Sequence, residues 1–286
     1  MQYLKIADLN IAVDGADNEH FVQKTAKYLT GKPEQIDSEV NFELTTQICT
    51  DGLSPFETDC GRNYFDTGKY QGFYDYIDEV GKAVSLMQTD YKRNKIKYKY
   101  CDLSGLFSIQ SDTAVTTVMG HLFQEILLNH SGIVVHASTI VHNGEAVTFT
   151  APSGTGKSTH TGLWKKYYPD DTVVINDDSP AIRLRDDKFI AYGTPWSGKT
   201  DINENLSAPL KAMVFLERGH ENSITEITAT EAFVRMIKEL PLPPFKNQSD
   251  LMMDMLNKLF STVPKYLLKC DVSKQAVDVV KNELFL

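Results

Sequence analysis

Residues 150–164 read TAPSGTGKSTHTGLW, which sets glycines, a lysine and a hydroxyl at the spacing of a phosphate-binding loop. The full pattern is G-x-x-x-x-G-K-[ST]. Here Ala151 stands at its first position, and Gly156, Lys157 and Ser158 complete it. Glycines let successive backbone N–H groups turn inward around an anion. A helix start behind them adds about half a positive charge. Ser153, Gly154, Thr155, Gly156, Lys157, Ser158 and Thr159 are therefore the expected nucleotide-phosphate ligands. Lys157 would place a point charge on the outer phosphates, and the Ser158 hydroxyl would bind Mg²⁺, a hard ion that takes oxygen ligands. Ala151 fits only if its φ stays negative.

A second group lies in VVINDDSPAI, where an apolar strand ends in Asn176, Asp177 and Asp178. Two adjacent acids at a strand end can divide labour. One would hold the metal, and the other would take a proton from an attacking hydroxyl. The spacing from Lys157 suits a strand next to the loop. The plainer alternative is a turn acid that caps the next segment. His136, in VVHAST, is either a satisfied core histidine or a ring near the phosphates. YGTPWSGKT, at 192–200, offers Thr194, Ser197 and Lys199 as donors and Trp196 as a flat face, a candidate substrate loop. Arg218, in FLERG, either neutralises charge on the transferred group or pairs with an acid such as Glu217.

The elements that must position these residues follow from periodicity. YLKIADLNIAV and NKIKYKYCDL alternate as strands. The lysine face of the second reads as a solvated or edge-protecting face. From Asp112, apolar residues at Val115, Val118, Met119, Leu122, Phe123, Ile126 and Leu127 recur at helical steps. IVVHASTIV and EAVTFT form a hairpin across HNG, where Asn-Gly favours a type I′ turn. A helix follows the loop, DTVVIN is a buried strand, AIRLR and KFIAY form a second hairpin, and LKAMVFLERG is a strand. ATEAFVRMIKEL, SDLMMDMLNKLFSTV and SKQAVDVVKNEL read as helices, with the methionine-rich one packed into core.

The chain has 286 residues and a formal charge of −9, so nucleic acid and anionic membrane are not expected partners. Cys49, Cys60, Cys101 and Cys270 show no C-x-x-C spacing and read as reduced thiols of a cytoplasmic protein. The N-terminus lacks the apolar run of a signal peptide, and no stretch approaches a membrane span.

HAST at His136, PSGTGKST at 152–159, LW at Leu163 and Trp164, INDD at 175–178 and GTPWSGK at 193–199 resemble the HPr kinase/phosphorylase family. The likeness is closer to that family's uncharacterised and peptide-modifying relatives. It covers roughly 113–270 and implies the phosphate-loop core shared with phosphoenolpyruvate carboxykinase. By resemblance, Asp177 is the base that activates a serine hydroxyl, and Asp178 stands near the metal. Ala151 and Thr159 depart from the family, where glycine begins the loop and an acid follows the serine. The arginine-bearing, glycine-rich HPr-contacting signature is absent, so HPr is not the expected acceptor. Oligomer formation follows from the resemblance alone.

The expected fold is mixed α/β. Residues 113–286 form a phosphate-loop ATP-binding domain of mixed sheet with flanking helices, and 1–112 a smaller strand-rich domain that serves acceptor recognition. The expected function is an ATP- and Mg²⁺-dependent kinase acting on a serine-like hydroxyl of a peptide, protein or small molecule. Asp177, Lys157 and His136 are its expected catalytic residues, and Ser158 and Asp178 its metal ligands. The rival readings are a catalytically silent nucleotide sensor and, lower, a carboxykinase-type enzyme or a serine hydrolase. The hydrolase reading lacks a G-x-S-x-G elbow.

Overall fold

Asn143 and Gly144 both take positive φ, 51° and 82°. That is the requirement of a two-residue type I′ turn, and it closes a hairpin in the register His142 to Glu145. The same device recurs at Asp186 and Asp187, and again at Ala7 and Asp8, all with positive φ. The last pair is not a turn that the alternation of YLKIADLNIAV reveals. The single strand expected there is instead two short strands folded on each other.

The computed structural model describes residues 1–59, 61–102, 111–240 and 242–286, without the side chains of Ser111 and Asp112. Cys60 lies outside the described residues. The chain is mixed α/β and divides into two compact units, Met1–Asn129 with Pro244–Gln248, and His130–Pro243 with Ser249–Leu286. The sequence reading drew its boundary after 112, ahead of the long helix. In the contact division that helix groups with the N-terminal strands, because periodicity shows that a helix has an apolar face but not which neighbour covers it. Among the described residues no helix is long and apolar enough to cross a membrane.

The first unit holds β1 (Gln2–Ile6), β2 (Leu9–Asp14), α1 (Glu19–Thr25), β3 (Ser38–Thr45), β4 (Pro55–Asp59), β5 (Arg62–Asp66), β6 (Gln71–Ile77), β7 (Lys82–Thr89), β8 (Lys95–Cys101) and α2 (Ser111–Asn129). Its sheet runs in the order β1-β2-β3-β8-β7-β6-β5-β4. Lys95 and Lys97 are exposed, which is the solvated face expected of that strand. Edge protection does not apply, since β8 lies between β3 and β7.

The second unit carries the candidate site. It holds β9 (Gly132–Val134), β10 (Ala137–His142), β11 (Glu145–Thr150), α3 (Lys157–Tyr167), β12 (Thr172–Asn176), β13 (Ala181–Arg185), β14 (Lys188–Tyr192), β15 (Ser207–Arg218), β16 (Ser223–Glu226), α4 (Ala229–Ile237), most of α5 (Lys246–Thr262), β17 (Lys265–Cys270) and α6 (Lys274–Phe285). The strand order is β12-β10-β11-β15-β14-β13-β9, with β17 also on β15 and β16 on β17. IVVHASTIV is not one strand. Its first part, β9, pairs with β13, and its second part, β10, pairs with β11 and β12. His136 falls in the break.

DTVVIN also differs from expectation. It is an edge strand, separated from the loop strand β11 by β10, and Val173 is 38% exposed. The two antiparallel pairings, β11 to β10 and β10 to β12, leave β11 and β12 parallel to each other. β15 is parallel to β11 as well. The C-terminal ends of β11, β12 and β15 therefore open on one side of the sheet, where the N-terminal end of β10 also lies. Underneath, Ile140, Phe149, Trp164, Val214, Leu268 and Val280 form a buried cluster between the sheet and the helices α3 and α6. Fully burying each such side chain contributes about 1.5–3 kcal/mol, enough to make this end of the sheet a rigid platform.

Candidate phosphate-transfer site

Backbone geometry at 151–158 explains the loop's composition. Gly154 and Gly156 have φ of 77° and 123°, values that side-chain-bearing residues rarely adopt. A Cβ added at either would meet nothing within 4 Å, so the glycines are needed for conformation and the space over the loop is open. Ala151 is not among the described non-glycine residues with positive φ, so the condition for alanine at the first position is met. Its methyl group belongs to the buried cluster below, at 5% exposure. α3 begins at Lys157 with Gly156 at its N-cap and no side chain capping it. Its first N–H groups are left for an outside acceptor.

Lys157 is buried, and its Nζ donates to the Ala151 carbonyl at 2.8 Å. Burial pushes its pKa down, opposed by the nearby charges of Asp178, Glu239 and Asp177. Arg218, from the end of β15, donates through Nε to the Thr155 carbonyl at 3.2 Å and through Nη2 to the Gly154 carbonyl. In a trans peptide, C=O and N–H point in opposite directions. Turning the Thr155 carbonyl toward Arg218 therefore turns the Gly156 N–H away from it. Arg218 thus acts on the loop, and the acid once considered for it, Glu217, pairs with Arg235 at 2.7 Å.

Asp177 is 5% exposed, and both of its carboxylate oxygens accept hydroxyl hydrogen bonds. Ser138 Oγ donates to Oδ1 at 2.7 Å, and Thr200 Oγ1 to Oδ2 at 2.8 Å. Ser138 Oγ also lies 2.8 Å from Thr161 Oγ1, which reaches the Lys157 and Ser158 carbonyls at 3.3 and 3.2 Å. Ser138 gives its proton to Asp177, so Thr161 donates to Ser138, and the two hydroxyls tie the carboxylate to α3 at Thr161. Asp178 is the more open acid, its side chain 42% exposed, with Oδ2 accepting from Ser179 Oγ at 3.0 Å. His136 stands between two acids, Nε2 3.6 Å from Asp178 and Nδ1 3.6 Å from Glu239. It is half-buried at the site, not a satisfied core residue.

Asn176 is fully buried and clamps two segments together. Its Nδ2 donates to the Thr194 and Trp196 carbonyls at 2.9 and 3.2 Å, while its Oδ1 accepts from the N–H groups of Asp178 and Ser179. Gly193 permits this approach. A Cβ there would stand 1.9 Å from the Glu204 carbonyl oxygen and 2.5 Å from that of Ile175. Thr194 and Ser197 turn inward. Thr194 Oγ1 donates to the Ser179 carbonyl at 2.7 Å, and Ser197 Oγ accepts from Asn203 Nδ2 at 2.9 Å. Both are buried, so they build the loop and do not face an acceptor. Lys199 is exposed, and Trp196 is half-buried.

The structure thus brings Lys157, Asp177, Asp178 and His136 to one end of the sheet, with Ser158 and Thr159 exposed on the first turn of α3. Four contributors are not singled out by the sequence, Ser138, Thr161, Thr200 and Glu239, and Asn176, named there only as a strand end, proves to be a clamp. Ser138 sits inside HAST, two positions after His136, but hydroxyl residues in strands are too common to single out. Glu239 arrives from beyond α4 and carried no local signal.

The oxygen-rich donor set fits a hard divalent cation. Ser158 and the open carboxylate of Asp178 are its available ligands. Among the described residues no three His, Cys, Asp or Glu side chains are placed to hold a metal ion. A metal would therefore rest on these few groups and on substrate phosphates.

A search of curated proteins gave no match. Among solved structures, the chain is similar to the HPr(Ser) kinase/phosphatase from Coxiella burnetii, with 12% identity and a TM-score of 0.33 over 52% of this chain and 95% of that one. The family described as SynChlorMet cassette protein ScmC matches residues 108–284, more than half of the sequence, and takes in the loop, the acid pair and Thr200. The chain belongs to the ScmC family.

Proposed function

We propose that the chain is an ATP- and Mg²⁺-dependent kinase that transfers the γ-phosphate to a serine-like hydroxyl of a peptide, protein or small molecule. The N–H groups around Gly154 to Ser158 would hold the β-phosphate, with Thr159 beside them and Ser153 at the lip. Lys157 would leave the Ala151 carbonyl for the outer phosphates. Ser158 and Asp178 would hold Mg²⁺, which draws charge from the transferred group. Asp177 would take the proton of the acceptor hydroxyl as its oxygen attacks in line. Positioning and electrostatics supply most of the acceleration in such transfers. His136, between Asp178 and Glu239, would keep the metal-side acid oriented.

The observation that carries this reading is the pair of hydroxyls that links Asp177 through Ser138 to Thr161 on α3. It fixes a carboxylate against the helix that follows the phosphate loop. Nothing comparable supports the carboxykinase reading. Arg183 turns to the His130 carbonyl at 3.1 Å, and Arg235 to Glu217 and Glu231, so these arginines are spent away from the loop. The sensor reading draws on the motif departures at Ala151 and Thr159 and on the occupation of both Asp177 oxygens. Incubation with γ-labelled ATP, Mg²⁺ and a mixture of serine-bearing peptides separates the two. Label on peptide is the expected result. Tight ATP binding with no transfer to any acceptor assigns the chain to the sensors.

A further inference from the structure

Ser138 and Thr200 donate to Asp177, Thr161 stands behind Ser138, and the three hydroxyls differ in one respect. Ser138 and Thr161 are 0% and 1% exposed, locked between strand β10 and helix α3. Thr200 is exposed and stands on the loop that follows GTPWSGK. Its Oγ1 lies 2.8 Å from Asp177 Oδ2 and 3.3 Å from the Ser197 carbonyl. A hydroxyl has one proton to give, and the shorter bond to the ionised acceptor takes it. The Thr200 proton therefore points at Asp177, and the lone pairs of Oγ1 point elsewhere.

That is the arrangement a general base needs with its acceptor, a hydroxyl within about 2.6–3.2 Å and its proton directed at the base. We infer that Thr200 occupies the acceptor position of this site and is itself a phosphoryl acceptor within the same chain. The inference rests on the kinase reading of the site. In the step, Thr200 Oγ1 attacks the γ-phosphorus of ATP and its proton passes to Asp177 Oδ2. The bond from phosphorus to the bridging oxygen breaks, and ADP leaves with that electron pair. The products are phosphothreonine at 200, ADP and a proton that Asp177 returns to solvent. No further reactant is required.

The geometry also says why Thr200 and not its neighbours. Ser138 and Thr161 cannot reach an incoming phosphate without unpacking the platform. Thr194 and Ser197 are buried and face the loop interior. Ser158 and Thr159 lie on the phosphate-binding turn itself and do not touch Asp177.

The experiment is incubation of the full chain with γ-labelled ATP and Mg²⁺ and no added acceptor, followed by peptide mapping, with ADP release and ATP binding measured in parallel. The expected result is label on the peptide that contains Thr200. Its rate per chain should be independent of protein concentration, as an intramolecular step requires. Thr200→Val should remove that label, and Thr200→Ser should restore it as phosphoserine. Lys157→Ala should abolish it. Transfer to added peptides, or ADP release, without label at 200 overturns this inference and leaves the kinase reading standing. A chain that neither binds nor turns over ATP overturns the inference and the kinase reading together.

Discussion

Two clusters of charge, one in each unit, show what separates a charge kept for structure from one kept for chemistry. In the first unit, Arg93 is fully buried. Its Nε donates to Glu125 at 2.9 Å and its Nη1 to Gln71 at 2.8 Å, and its guanidinium lies 5.4 Å from the centre of the Phe245 ring. A cation answers the acid directly, and aromatic packing seals the pair. In the second unit, Asp177 is nearly as buried but is answered by two hydroxyls. Hydroxyls hold a carboxylate in place without neutralising it. The first arrangement serves the fold, and the second is the one that suits the base proposed above.

The comparison breaks most visibly under truncation. Arg93→Ala takes from the half-buried Glu125 the guanidinium it pairs with and leaves only the more distant charge of Arg62; loss of one partner of a buried pair costs up to about 3–5 kcal/mol. Denaturant unfolding should show that loss. Lys157→Ala should leave the unfolding transition close to that of the parent and lower ATP turnover by about 10²–10³. If Lys157→Ala instead unfolds the chain, or turns over ATP at the parent rate, the two clusters do not differ as described.

Asp177→Asn sharpens the contrast. The amide keeps one acceptor oxygen for Ser138 or Thr200 but cannot take a proton. Phosphoryl transfer should fall by about 10²–10⁴ while ATP binding survives. An active Asp177→Asn protein would move the base to Asp178.

A smaller effect concerns His160, on the inner face of the loop's helix. Its Nε2 accepts from Trp164 Nε1 at 3.2 Å, and its Nδ1 is buried without a hydrogen-bond partner. Burial pushes its pKa down to about 4 from 6.5. Above 6.5 the ring is neutral in both folded and unfolded chains, and no stability depends on it. As pH falls from 6.5 toward 4, the unfolded chain binds a proton that the folded chain refuses, so stability drops. The loss approaches roughly 3 kcal/mol at its limit. Unfolding of the parent and of His160→Phe, compared at pH 7 and pH 5, should show a steeper pH dependence for the parent. Equal slopes would contradict it.

Much of this site was legible in local sequence. Asn143-Gly144 announced the hairpin because positive φ at both positions is a property of those residue types. The loop announced itself because glycine, lysine and serine are each needed at a fixed backbone position. The helix α3 was legible from its place directly after the loop, though not which of its faces is buried. What stayed hidden depended on contacts between distant segments. β12 lies one strand away from β11, and no run of residues in DTVVIN states which strand it pairs with. The inward turn of Thr194 and Ser197 follows from Asn176 and Asn203, which a donor-rich loop read by itself does not reveal. Ser138 and Thr200 converge on Asp177 from two segments, with Thr161 behind Ser138 from a third, and no periodicity records that.

The central claim is that backbone N–H groups at 154–158 form a cup for a triphosphate. Titration calorimetry with Mg²⁺ and ATP tests it most directly, with Gly156→Val as the comparison, because valine strongly disfavours the φ of 123° found there. A binding isotherm for the parent that collapses in Gly156→Val is the predicted result. Flat traces for the parent with ATP and GTP alike, or undiminished binding in Gly156→Val, would contradict it.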